Sequence, residues 1–360
     1  MRDWTAMRLV TRILYPFLRL TASRIAVLGA RSAPKRYCRP AKGEGDIKGE
    51  ALGWFCVVIL AAALTAVSLP VPAAGQAYLT ESSCPDNHTM VFHRCAVEAA
   101  QTFTPPRTPD GRPDFGGFWR TRIGVAPFED LEEHPRTPDD GGGPSAIVDP
   151  PGGRVPMQPW ADARRKENAA KYLHHEAGCF LSGVPATMYM TSLYQFMQGP
   201  DRLVIQTEEH HAYRVIPLGT RPRLGANIRL WQGDPHGRWE GNTLVIETTN
   251  LNGMPWLDQR GRFVTEEARV VERLTLVDVN TLHYQATVQD ANVYTRPFTI
   301  ATAFRRNTER RAEFWEEACF ENNEELMQTF RRGGLGIYSG IGAAEARELR
   351  RAWESRGARQ

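Results

Sequence analysis

The sequence predicts a mainly β protein: an antiparallel up-and-down meander, closed as a lipocalin-like barrel or curled as a sandwich, with one helix before it and one at the C-terminus. Two observations carry this. Short runs rich in Val, Ile, Thr, Tyr and Trp recur between Gly, Pro, Asn and Asp punctuation. Nothing of helical length separates those runs in the way parallel strands require. Eight to ten strands at meander spacing follow.

Residues 1–77 read as a basic leader. The first 52 carry eleven Lys or Arg against four Asp or Glu, and residues 53–74 carry no charge at all. The apolar run is about 17 residues long before Pro70, short of the ~20 of a spanning helix. Ala73, Ala74, Gly75 and Ala77 follow it, small residues of the kind a secretory cleavage site prefers. The expectation is an exported protein, periplasmic or extracellular, processed between Ala73 and Ala77. An uncleaved leader holding the domain at a membrane is the alternative. With residues 1–52 set aside, 33 basic residues face 37 acidic ones, so the folded part is no nucleic-acid binder by charge.

Cys38 and Cys56 fall in the leader, leaving Cys84, Cys95, Cys179 and Cys319, an even number for an oxidising compartment. Sequence alone does not choose among their three pairings. Cys84–Cys95 would close a small loop in a segment without a core, and Cys179–Cys319 would tie the entry of the strand-rich region to its end. Buried free thiols at Cys179 and Cys319 are the other reading.

Residues 78–104 are short on apolar periodicity and read as an arm, 105–330 as a single β-rich domain, and 331–360 as a helical tail. The Pro-rich segment 105–114 delivers the chain into a first strand at 115–121. Residues 159–176 form the one good helix in this half, with Pro159 in its first turn and His174 and His175 at a C-terminus that favours cations. Strands then follow at 187–198, 202–207, 211–216, 270–277, 282–289, 296–305 and 313–319. The stretch 228–250 reads as the middle of the meander, two strand halves about a turn at 233–237, with a second turn at 240–242.

Pro106-Arg107-Thr108-Pro109-Asp110-Gly111-x-Pro113-Asp114-Phe115-x-Gly117-x-Trp119 resembles the opening signature of a large uncharacterised family of secreted bacterial proteins. Cys179 with Gly183-Val184-Pro185, the HAYRVIP run at 211–217, the WEGNTL run at 239–244, Tyr294-Thr295-Arg296-Pro297 and Cys319-x-Glu321-x-Asn323 are similar to that family in the same order. The resemblance implies an exported domain and carries no activity. Phe320 and Asn322 stand where the family often has His and Gly. Gly117-Phe118-Trp119 gives a second, shorter likeness, to lipocalin-type barrels, which fill themselves or hold one small ligand.

Strand alternation places His211 and Tyr213 on one face with Arg214 on the other, and Glu272 among Leu274 and Leu276. Glu272 is therefore an inward carboxylate, either titrating or wired to an arginine such as Arg214, Arg296 or Arg305. There is no Gly-x-Ser-x-Gly elbow, no phosphate-cradling loop and no His-Glu-x-x-His. Glu208, Glu209, His210 and His211 have metal-like composition, but adjacent residues on an extended chain point apart, so no metal and no cofactor is expected. Two functions remain. The first is an exported barrel binding an apolar or aromatic small molecule, with Tyr213, Trp231, Arg238, Trp239, Tyr294 and Arg296 as contacts. The second is a metal-independent acid–base enzyme using His211 with Glu272 or Glu317.

Overall fold

The computed structural model describes residues 81–122, 126–138, 141–319, 321 and 323–357, all within the compact unit Ala73–Gln360. The leader and its processing site, Phe320 and Asn322 lie outside the described residues. No helix among the described residues is long and apolar enough to cross a membrane.

Ten strands form one antiparallel sheet. They are β1 (Gly117–Thr121), β2 (Ile147–Asp149), β4 (Leu193–Gln198), β5 (Arg202–Thr207), β6 (Tyr213–Pro217), β7 (Asp234–Glu240), β8 (Thr243–Thr249), β9 (Arg269–Asp278), β10 (Thr281–Gln289) and β11 (Phe298–Arg306). The order is β6-β5-β4-β1-β11-β10-β9-β8-β7, with β2 beside β11. An antiparallel path of nine strands ends on two strands that point the same way, so closing it requires one parallel contact. That contact is present, between Leu218 just past β6 and Gly237 on β7. The sheet is a nearly closed barrel.

Gly237 belongs to the seam. A Cβ there would stand 2.6 Å from Leu218 Cδ2 and 3.0 Å from Ile216 Cγ2. Residues 233–237 are thus not the turn their Gly and Pro content suggests: β7 starts at Asp234, straight after the left-handed Gly233, and Pro235 is tolerated because β7 is a terminal strand of the path. Only the second turn, at 240–242, is a hairpin. The hairpin between β9 and β10 and the strand 202–207 fall where the sequence places them. Residues 313–319 form no strand.

The interior is filled. Trp119, Tyr194, Phe196, Phe304, Tyr284 and Leu244 are all fully buried in one continuous core. Trp119 donates its indole N–H to Phe115 O at 2.9 Å, and the Arg306 guanidinium lies 4.2 Å above its ring. Arg214 of β6 is tied to Glu272 of β9 by two bonds, of 2.9 and 2.6 Å, and Tyr284 donates to the same carboxylate at 2.9 Å.

The segment read as an arm is helix α1 (Thr89–Thr102). It docks through Phe92 and Ala96 against Val277 and Ala303, in a small core that also holds Cys84. Helix α2 is one turn (Ala126–Glu129). Helix α3 (Pro159–Lys171) ends five residues earlier than its composition suggests. Tyr172–Leu173 (β3) then pairs in parallel with Gly336–Ile337 (β12). Helix α4 (Glu324–Arg332) buries no residue, whereas α5 (Ala343–Gly357) buries Ala343 and Ala346, and Glu266 accepts the Ala343 N–H at 2.8 Å. Two disulfides are formed, Cys84–Cys95 and Cys179–Cys319.

Candidate functional site

Three segments converge where β5 turns into β6. The first follows α3: once β3 has paired with β12, the chain makes a 3-10 turn over His175–Gly178. His174 and His175 therefore do not cap a helix dipole. They turn inward, their rings packed against each other at a 40° tilt with centroids 3.8 Å apart. His174 packs edge-on to Phe128 at 4.9 Å, and its Nδ1 accepts the Glu176 N–H at 3.4 Å. Cys179 takes a left-handed φ of 59°, which lets the chain leave the turn beside Cys319.

The second segment is the β5–β6 connection. Extended alternation fails here because residues Glu209–His211 form a 3-10 turn in which His210 (φ 52°) and His211 (φ 48°) are left-handed. Non-Gly residues adopt that conformation at a strain of roughly 1–3 kcal/mol. Glu208 holds the turn from outside, accepting the Leu193 N–H at 3.4 Å and the Trp315 N–H at 2.9 Å. Glu209 and His210 both reach inward, where the sequence expected neighbours to diverge.

The third segment precedes Cys319. Its Glu317 carboxylate accepts the His210 backbone N–H and lies 3.3 Å from His210 Nδ1, while the Glu317 N–H donates to His211 Nε2 at 3.3 Å. The disulfide clamps this segment to the first one.

The result is a crowded pair of triplets sharing one carboxylate. Ligating atoms of His174, His175 and Glu176 lie within 4.8 Å of one another, as do those of Glu176, Glu209 and His210. Among the described residues no Arg or Lys ion-pairs with Glu176, Glu209 or Glu317. Burial, then the Glu209 charge, push the Glu176 carboxyl up to about 9, against the pull of a hydrogen bond from Ser182. Burial, then Glu317, push Glu209 up to about 7. Burial lowers His174 to about 3 and His175 well below the usual imidazole range. It also lowers His210, although Glu317 opposes it.

An aromatic wall flanks the cluster. Trp231 donates to Leu181 O at 2.6 Å, meets His175 edge-on at 6.0 Å and stacks on half-exposed Phe180 at 5.3 Å. Beyond Phe180 and the disulfide, a cleft of about 380 Å³ is lined by Met327, Gln328 and Arg331 of α4 and by Ile337.

Of the residues singled out from sequence, His211, Glu317 and Trp231 come to this place. Glu272 does not: it is wired to Arg214, the structural one of its two expected roles. Tyr213 is 68% exposed and points away from the barrel interior. Trp239 packs on Phe115 at 5.2 Å, and Arg238 pairs with Glu240 at 2.6 Å along its own strand. Tyr294 is buried with its hydroxyl on Phe263 O at 2.7 Å, and Arg296 pairs with Asp149 at 2.7 Å; both line a separate cleft of about 390 Å³. Asp234 is buried, accepting from Arg221, Leu224 N and His236, so it stabilises the start of β7. Sequence reasoning set aside His175, Glu209 and His210 and passed over Glu176. Their signal was two strings of adjacent His and Glu, at 174–176 and 208–211.

No family model matches the chain, and neither does any curated relative. Among solved structures it is similar to a secretary abundant heat soluble (SAHS) protein from Ramazzottius varieornatus. The identity is 10%, over 53% of this chain and 94% of that one, with a TM-score of 0.24. So slight a likeness carries no argument about site or function. The barrel rests on its own strand order.

Proposed function

We propose that the protein is an exported barrel, periplasmic or extracellular, that binds a small apolar or aromatic molecule. In this reading the ligand lies outside the barrel interior, in the cleft beside Cys179–Cys319. The supporting observation is the join between that cleft and the cluster. Phe180 is at once a wall of the 380 Å³ cleft and the stacking partner of Trp231, whose other edge meets His175. The volume is in the range of small-molecule sites, and adaptable Met327 with cationic Arg331 suits an aromatic body with an anionic end. The packed barrel core argues against a ligand inside.

Export is supported by the two disulfides and by the apolar run at 53–74. The acidic balance beyond the leader favours a small-molecule partner over nucleic acid. The acid–base alternative has less support. Glu272 is held by Arg214, and Glu317 meets His211 through its backbone N–H instead of its carboxylate.

The test is a titration with 1-anilinonaphthalene-8-sulfonate, followed by energy transfer from tryptophan. Saturable binding of one probe per chain is expected. Phe180→Ala with Met327→Ala should weaken it at least about 10-fold, a change of roughly 1.4 kcal/mol. Trp239→Ala should leave affinity per folded molecule unchanged. Unsaturable binding, or equal affinity in the double variant, would refute the cleft.

A further inference from the structure

The His–carboxylate cluster has a chemistry that the cleft does not use. We propose that Glu176, Glu209 and His210 bind one divalent first-row transition ion, with Zn²⁺ as the natural probe. This goes beyond the ligand-binding reading and stands without it.

Donor chemistry comes first. Two carboxylates and one imidazole form a mixed O/N set that suits Zn²⁺, Co²⁺, Fe²⁺ or Mn²⁺ better than Mg²⁺ or Ca²⁺, which prefer all-oxygen shells. The nearby cysteines are joined in a disulfide and offer no thiolate. Donor atoms around such an ion lie roughly 2.0–2.2 Å from it. Those of the triplet already sit within 4.8 Å of one another, so small side-chain rotations complete the site.

Acidic side chains alone would not make a site. The independent observation is His210. Its side chain is 8% exposed, and neither ring nitrogen, Nδ1 or Nε2, has a hydrogen-bond partner although both are buried. A buried imidazole nitrogen without a partner is expensive unless something fills its lone pair. Its other nitrogen, Nδ1, lies 3.3 Å from the Glu317 carboxylate. Nδ1 makes no hydrogen bond in the fold as it stands, but a carboxylate in that place would accept an Nδ1 proton and leave Nε2 free to ligate, the usual support of a metal-bound histidine. Glu176 is supported in the same way by the Ser182 hydroxyl.

Charge and backbone agree. Neither Glu176 nor Glu209 has an Arg or Lys partner among the described residues, so a divalent ion would be their counter-charge. The left-handed turn at His210 and His211 brings residues 209 and 210 to one point, and Cys179–Cys319 holds Glu317 over His210. Three protein ligands leave one position open for water or substrate. His175 stands beside it, with Nε2 4.0 Å from Glu176 Oε1 and no hydrogen-bond partner.

The full chain, with both disulfides intact, is stripped with chelator and titrated with Co²⁺, then Zn²⁺. One Co²⁺ per chain should bind, give visible ligand-field absorption and be displaced by Zn²⁺. Glu209→Gln and His210→Gln should each weaken binding by more than about 100-fold, beyond the 10–100-fold of outer-shell changes. His236→Gln, whose imidazole faces Asp234, should change nothing. Absence of stoichiometric binding, or binding that survives in both variants, would overturn the proposal. If either variant fails to fold, the unaltered chain decides: Zn²⁺ should raise its melting temperature, and an unchanged value counts against the site. Probe binding in the Phe180 cleft should persist in His210→Gln, which separates failure here from failure of the binding reading.

Discussion

In the barrel interior the Glu272 carboxylate accepts two bonds from Arg214 and one from Tyr284, whereas at the barrel end Glu176, Glu209 and Glu317 crowd together with histidines and the Ser182 hydroxyl but no Arg or Lys among the described residues. Both groups hold carboxyls largely away from water, yet they follow opposite rules. Burial alone would lower Arg214, but Glu272 holds it above its usual range, the signature of a satisfied pair. At the cluster, burial and mutual repulsion hold two carboxyls up. A protein tolerates the first arrangement because its charges are paired. The second persists only where other forces impose it, and sites of function are where such conflicts concentrate.

The disulfide is one of those forces, and its removal should have the largest effect. Closing a loop with a sequence separation of 140 stabilises by about 5 kcal/mol in the chain-entropy model. Cys179→Ser with Cys319→Ser should therefore lower stability by up to that amount in urea unfolding. It should also free Glu317 from His210 and so weaken metal binding, a loss that no change in the barrel interior should reproduce.

Breaking the wired pair comes next. Glu272→Gln leaves Arg214 buried without a counter-charge, which should cost about 3–5 kcal/mol. Replacing both, as Arg214→Met with Glu272→Leu, should recover much of the loss, because well-packed apolar residues often substitute for a buried pair. A double variant no more stable than the single one would show that the pair does more than fill its place.

How far the sequence reaches follows the same divide. Glu272 was legible as an inward carboxylate with an arginine partner because strand alternation is strictly periodic, and it stands in a long regular strand. The meander was legible for the same reason, from the β9–β10 hairpin and the run at 202–207. The cluster was not, because its residues sit where periodicity stops. His174 and His175 fall just past a helix whose end the sequence places too late. Glu209 and His210 occupy a left-handed turn that no alternation rule describes. Gly237 misled in the opposite sense: its turn-like neighbourhood concealed a glycine needed for contact across the barrel seam.

A smaller effect should come from another pair of imidazoles, away from both charge groups. His283 is buried against His93, with Nδ1 of His93 3.1 Å from Nε2 of His283. Burial, then His93, push His283 down to about 3. In the unfolded chain it titrates near 6.5, so below that pH the unfolded state binds the extra proton. This contribution is complete above pH ~6.5 and is lost as pH falls toward 3, by up to about 1.4 kcal/mol per pH unit. Urea unfolding at pH 7 and 5 should show a smaller loss in His283→Gln than in the parent chain. Equal losses would place the acid sensitivity elsewhere.

The most direct test of the divide between wiring and site is the stability of two matched isosteres, Glu209→Gln and Glu272→Gln, in chelator-treated protein. Glu272→Gln should unfold at clearly lower urea. Glu209→Gln should keep the parent's stability to within about 0.5 kcal/mol or exceed it, since it relieves the burial and the Glu317 repulsion that hold this carboxyl up in the metal-free fold. A Glu209→Gln protein destabilised as much as Glu272→Gln would contradict the account, because the cluster would then be structural wiring of the same kind.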